Sequence, residues 1–214
     1  MRAILKAWGK ALVRGATAAA VIGLAAAPAL AAVTWTVKPG GAVTGTAGTT
    51  VVSDTTAGQS LSCTSSVAKG TLKKGSGLAG AGIGTLTSLA FKGCNVSGFS
   101  VSLTLSGKMP LNATKYNGTT KVANMTITKI HATFSVSSLG CSATIDGTGA
   151  TAHNGMVKAK FSNKTDTLHV LATGGNLKLY NVSSGCSIGN IHSGDLVNFT
   201  GGYKLTPKQT ITSP

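Results

Sequence analysis

No glutamate occurs among the 214 residues, and arginine occurs only at Arg2 and Arg14. The acidic inventory is four aspartates, Asp54, Asp146, Asp166 and Asp195. A glycosidase needs two carboxyl groups flanking one bond, and two of these four, Asp54 and Asp146, sit in turn-like sequence. Guanidinium forks are the usual readers of phosphates and guanine edges, so a chain without arginine beyond residue 14 is not expected to recognise nucleic acid specifically. Aromatic residues are 5% of the chain, too few for the girdles of an envelope pore. No Cys-x2-Cys pair and no close Cys/His cluster appears, so no metal site is expected. The glycines from Lys69 to Gly84 lie beside Lys73 and Lys74 but lack the Gly-x4-Gly-Lys-Ser/Thr frame of a phosphate loop, and no cofactor is expected. That stretch reads as a long surface loop or irregular hairpin.

What is present begins with a targeting signature. Arg2, Lys6, Lys10 and Arg14 precede an apolar run from Ala16 to Ala27, and Ala29-Leu30-Ala31 has the small residues of a cleavage site. Residues 1–31 are expected to be a Sec-type signal peptide cleaved near Ala31, giving a secreted or cell-envelope-associated chain of residues 32–214. Loss of those four cations takes the net charge from +15 to +11. No later segment is apolar enough to form a transmembrane helix.

Beyond residue 31 the hydrophobic pattern has a period of two. Val33, Trp35 and Val37 alternate with polar residues, as do Leu61, Cys63, Ser65 and Val67, and Phe99, Val101, Leu103 and Leu105. Asn117-Gly118 and Asn154-Gly155 read as hairpin turns, as does Gly174-Gly175 between Leu168–Leu171 and Leu177–Val182. Ala123, Met125 and Ile127 have one parity while Ile130, Ala132, Phe134 and Val136 have the other. A period of two cannot change phase without an inserted residue, so a bulge is expected near Thr128-Lys129, where one long strand turns between two sheets. The last strand carries Val197, Phe199, Tyr203 and Leu205, and Thr210-Ile211-Thr212 is expected to add an edge strand. The fold class that follows is all-β, an antiparallel β-sandwich or barrel.

The four cysteines of an exported chain should be paired, and three pairings are open. Cys63–Cys94 and Cys141–Cys186 are favoured because each encloses a block with similar ends: Cys63-Thr-Ser-Ser-Val resembles Cys141-Ser-Ala-Thr-Ile, and Gly93-Cys94 resembles Gly185-Cys186. The echo suggests two related disulfide-closed units sharing one core, with sub-units 32–107 and 108–214.

Chemistry is thinly represented. His192-Ser193-Gly194-Asp195 places an imidazole, a hydroxyl and a carboxylate together, but triad members come from separate elements and the tetrapeptide reads equally well as a polar turn. His131 and His169 fall in strands and read as structural residues. Lys69, Lys73, Lys74, Lys158 and Lys160 form the candidate surface for an anionic ligand, such as a cell-envelope glycopolymer.

The segments Trp35-Thr36-Val37-Lys38-Pro39-Gly40-Gly41, Cys63-Thr64-Ser65-Ser66, Gly75 to Gly84 and Gln209-Thr210-Ile211-Thr212-Ser213-Pro214 give the chain its likeness to known sequences. It resembles a family of uncharacterised exported β-proteins of actinobacteria. The likeness covers nearly all of the chain beyond residue 31 and implies location without implying an activity. The expected function is a non-catalytic, disulfide-stabilised module that binds or builds the cell envelope. The alternative is a carrier holding a small apolar ligand in a barrel or sandwich cavity; an envelope pore and a hydrolase rank behind both.

Overall fold

The computed structural model describes residues 33–214. The expected signal peptide and its cleavage site near Ala31 lie outside the described residues.

Among the described residues seventeen strands follow one another: β1 (Thr34–Lys38), β2 (Gly41–Ala47), β3 (Thr50–Asp54), β4 (Gln59–Leu72), β5 (Gly75–Ala79), β6 (Gly84–Val96), β7 (Phe99–Ser100), β8 (Ser102–Leu105), β9 (Met109–Asn117), β10 (Val122–Ile130), β11 (Ala132–Val136), β12 (Cys141–Asp146), β13 (Gly155–Ser162), β14 (Thr167–Val170), β15 (Lys178–Tyr180), β16 (Val197–Thr206) and β17 (Thr210–Thr212). Single 3-10 turns cover Ser137–Leu139 and Ser184–Gly189. The alternation of apolar and polar residues dictates strands, and the ladder closes on itself. β4, β6, β9, β10, β13, β14 and β16 pair in sequence around a ring, and β2 and β3 share the eighth place, each pairing with both β4 and β16. The result is an eight-stranded antiparallel barrel, which removes the exposed edges that an open sheet would leave.

Two smaller sheets lie at opposite ends of this ring. A three-stranded sheet, β17-β1-β5, gathers segments that leave the barrel where Gly41 pairs with Leu72 and Leu72 pairs with Gly84. Its Trp35, Val37 and Ile211 join the main core. A four-stranded sheet, β15-β12-β11-β8, gathers near the other end, where Asp54 pairs with Gln59 and Ile130 pairs with Gly155. Strands β2, β3, β4 and β6 form one arc of the ring and β9, β10, β13, β14 and β16 the other, and both contribute to a single core that includes Ala68, Met125, Phe161 and Tyr203.

The bulge expected near Thr128-Lys129 is present. The β10–β13 ladder shifts register between Ile127 and Ile130, Lys129 has a φ of +59°, and the chain leaves the barrel at His131 to become β11 of the four-stranded sheet. The tail also pairs as expected, with Thr36 opposite Thr212, and the side-chain amide of Asn163 completes the edge by bonding both the N–H and the C=O of Ile211 (2.7 and 2.8 Å).

Other expectations are corrected. The glycine stretch after Lys69 is mostly strand: β4 runs on to Leu72 and β5 pairs with β1. Its glycines permit close backbone approach. A Cβ on Gly80 would lie 2.3 Å from the Ala113 carbonyl oxygen and 2.7 Å from the Trp35 indole nitrogen. Asn117-Gly118 does open a hairpin, but its loop spans 118–121 and is closed by the Asn117 carboxamide accepting the N–H groups of Thr119 and Thr120 (3.0 and 2.9 Å). Asn154-Gly155 and Gly174-Gly175 are not hairpin turns, because the strands flanking each belong to different sheets. The buried face of β4 also changes. Leu61 and Cys63 are buried, then Ser66, Ala68 and Leu72, while the pairing with β6 keeps its register from Ser62 to Lys69. The first pair belongs to a cluster around the disulfides and the second set to the main core, so one regular strand serves two apolar environments.

Both favoured disulfides form, and no free cysteine remains. Their settings differ. Cys63 and Cys94 face each other on adjacent barrel strands, whereas Cys141 begins β12 and Cys186 sits in a 3-10 turn. The similar block ends therefore stand in different structural settings.

Candidate functional site

Four members of the second cluster, Leu61, Val136, Cys141 and Cys186, help to line an apolar cavity of about 160 Å³. Its wall on the barrel side comes from Val52, Asp54 and Leu61. Opposite stand Leu103, Phe134 and Ile145 of the four-stranded sheet. The Ser184–Gly189 turn supplies the rim, held down by the Cys141–Cys186 bond. Four large apolar side chains are exposed among the described residues, and two of them, Phe99 at 39% and Ile188 at 77%, belong to this lining. Burying such groups against a ligand is favourable, and contiguous apolar exposure of this kind marks interaction sites. A void of about 50 Å³ shares Val52, Leu103, Ile145 and Val197 with the pocket. A further void of about 30 Å³ inside the barrel shares Leu86, Leu89, Ile127 and Phe199 with that one. The pocket and the two small voids thus adjoin one another through shared lining residues.

Three polar residues, Asp54, Gln59 and Ser97, interrupt the apolar lining, and Asp54 is the buried one. Asp54 ends β3 and is 7% exposed. Its Oδ1 accepts the N–H groups of Thr56 and Ala57, both at 2.9 Å, closing the turn into β4. Its Oδ2 is buried and accepts no N–H among the described residues, and the carboxyl faces that of Asp195. Burial pushes the Asp54 pKa above the ordinary 3.8, the two backbone N–H groups oppose that shift, and the neighbouring Asp195 carboxyl adds to it. Because the folded pKa is raised, the stabilising protonated form is complete below the unfolded value and is lost as pH rises through the folded value. Asp54→Asn keeps the turn acceptor and removes the charge. Its melting temperature is expected to exceed that of the wild type at neutral pH, with the difference closing below about pH 3.8; a thermal melt series across pH checks this.

The His192–Asp195 segment is a polar turn. Asp195 Oδ2 accepts the backbone N–H of His192 at 2.7 Å, and the Asp195 N–H returns to the His192 carbonyl at 3.3 Å. The carboxylate is thus engaged with backbone and with Asp54, not with an imidazole, and no triad is formed there.

The lysines are exposed but do not make one surface. Lys69 lies on β4, with Lys73 and Lys74 just beyond it, whereas Lys158 and Lys160 lie on β13. In the ring of eight, β4 and β13 are four places apart, on opposite walls. Sequence reading missed the pocket because its lining comes from nine separate stretches, none with a motif. The one local signal was Asp54-Thr55-Thr56-Ala57, an aspartate-led turn, and turns of that kind are common.

No family model, no curated protein and no solved structure matches this chain. Among the described residues no helix is long and apolar enough to cross a membrane. Two disulfides are compatible with an extracellular location.

Proposed function

We propose that this protein is an exported, non-catalytic carrier that holds a small apolar ligand bearing a hydroxyl or amine group. The observation that carries this reading is the apolar cavity of about 160 Å³ with the buried Asp54 among its lining residues. A cavity near 150 Å³ accommodates a benzene-sized group, so the ligand buries one ring or short alkyl segment and leaves the rest outside. A ligand O–H or N–H bonded to Asp54 Oδ2 would relieve the cost of a buried acceptor without a donor. The basic n-region, the apolar run and the Ala29-Leu30-Ala31 site support export through the general secretory route, and the likeness to actinobacterial exported proteins supports an envelope or extracellular setting. Lys69, Lys73 and Lys74 stand on a different wall from Lys158 and Lys160, so these five do not combine into one surface for an anionic glycopolymer.

The test is a titration with 1-hexanol, hexylamine and hexyl methyl ether, followed by nuclear magnetic resonance of the Leu, Ile and Val methyl groups. Hexanol and hexylamine are expected to shift the methyls of Val52, Leu61, Leu103 and Ile145 at lower concentration than the ether, which offers no donor. Leu139→Trp, at a half-buried lining position, should fill the mouth and weaken binding at least about tenfold. Equal binding by all three probes removes the role of Asp54; no shift at millimolar probe, or unaltered binding to the Leu139→Trp variant, overturns the carrier reading.

A further inference from the structure

On the far side of Ile145 from the pocket's rim turn, the chain brings together three residues that the sequence reading kept apart: His131, Asp146 and His153. One side-chain donor atom from each lies within 4.8 Å of the others. We propose that His131 and His153 form a two-histidine site for a late first-row divalent cation, Zn²⁺ or Cu²⁺, with Asp146 orienting His131 from behind.

Asp146 itself has no capacity left for a metal. Its Oδ1 accepts the N–H groups of Gly147 (2.6 Å), Asn154 (3.0 Å) and Gly155 (3.2 Å). Its Oδ2 accepts the His153 N–H at 3.0 Å and lies 2.9 Å from His131 Nδ1. A carboxylate offers about four lone-pair positions, so five donors exhaust it. The same bonds specify what the histidines can do. A carboxylate on Nδ1 holds the proton there and leaves the lone pair on Nε2, the arrangement in which an outer carboxylate raises the basicity of a metal-ligating imidazole. The backbone of His131 is pinned at the β10–β11 corner, where its carbonyl accepts the Ser106 N–H at 3.0 Å. His153 is held in a left-handed conformation, φ +47°, by the bond from its N–H to Asp146. Its ring centroid lies 4.2 Å from that of His131 with the planes inclined at 39°. Among the described residues the His153 ring has no hydrogen-bond partner, and it is exposed. Neutral imidazole selects zinc, copper and nickel over calcium and magnesium, which require oxygen ligands. Water would complete the coordination on the exposed side.

The site shares no lining residue with the apolar pocket, and the two readings stand or fall separately. The intact disulfide-bonded protein is titrated with ZnSO₄ and the imidazole proton resonances of all four histidines are followed. His131 and His153 are expected to shift together and saturate while His169 and His192 do not move. Because loss of an outer partner alone costs about 10–100-fold in metal affinity, His153→Ala and His131→Gln should each weaken Zn²⁺ binding at least about tenfold. His153 is exposed, so its alanine variant keeps the fold and serves as the primary test. A saturable shift confined to His169 or His192, no shift at millimolar Zn²⁺, or unchanged affinity in His153→Ala overturns the proposal.

Discussion

Replacing Cys141 and Cys186 together by serine is expected to lower stability by about 4 kcal/mol and to abolish binding at the apolar pocket. The first figure follows from chain entropy, since the bond closes a loop with a sequence separation of 45. The second follows from position. Cys186 is the one buried residue of the Ser184–Gly189 turn, and that turn contributes Gly185, Cys186, Ile188 and Gly189 to the pocket lining. The Cys63–Cys94 bond makes an instructive control. Its sequence separation of 31 predicts a similar loss of about 4 kcal/mol, yet its cysteines are registered neighbours on β4 and β6, whose ladder runs on to Leu72 and Gly84 without it. Denaturant titrations should therefore show comparable destabilisation in the two double-serine variants, whereas hexanol binding under conditions where both are folded should be lost only in the Cys141/Cys186 pair. Retained binding in that variant would show that the rim is held by packing alone.

The second large effect is expected at Asp146→Asn, with a loss of about 3–5 kcal/mol at neutral pH. Asp146 is fully buried and satisfies four backbone N–H groups and one imidazole. An asparagine presents one acceptor oxygen and turns an NH₂ group toward donors, leaving buried N–H groups unpaired. Burial alone would raise the Asp146 pKa; the bonds from His131 and from the backbone of Gly147, His153 and Asn154 outweigh it and hold the carboxyl below 3.8. A lowered folded pKa means that the stabilisation is complete above the unfolded value and is lost as pH falls through the folded one. Wild type and variant are therefore expected to differ most at neutral pH and to converge in acid, as read from denaturant midpoints between pH 7 and pH 2. Equal midpoints at pH 7 would mean that the carboxylate network contributes nothing net.

The cysteines and Asp146 also show where sequence reasoning stops. The cysteine pairs could be matched from the ends of the blocks they enclose, but the similar ends stand in different settings, because residue class at Cys63 and Cys141 says nothing about whether the strand joins a ring or a four-stranded sheet. Asp146 was legible as a turn residue and no more. Its true partners, His131 and His153, lie 15 and 7 residues away and meet only because the chain turns at the β10–β11 corner and returns through the 147–154 loop. The corner itself was legible, since the phase change between Ile127 and Ile130 has one physical remedy. The Asn-Gly turns were less so. A dipeptide sets local backbone preference, but which strands it joins depends on pairing energies summed over whole ladders.

What the sequence determined by itself was local or compositional. Alternating side chains prescribe strands, the parity change prescribes a bulge, the lack of glutamate and of arginine beyond residue 14 narrows the chemistry, and four cysteines offer two bridges. What only the tertiary structure decided was closure and convergence. A barrel and a sandwich have the same pattern of alternation, and the choice lies in whether β4 finds β6 and β2 finds β16, contacts between segments far apart in the chain. The pocket and the histidine pair arise from those same long-range contacts. Their residues carry no spacing of their own, because the distances that matter are set by how sheets stack and not by how the chain is numbered.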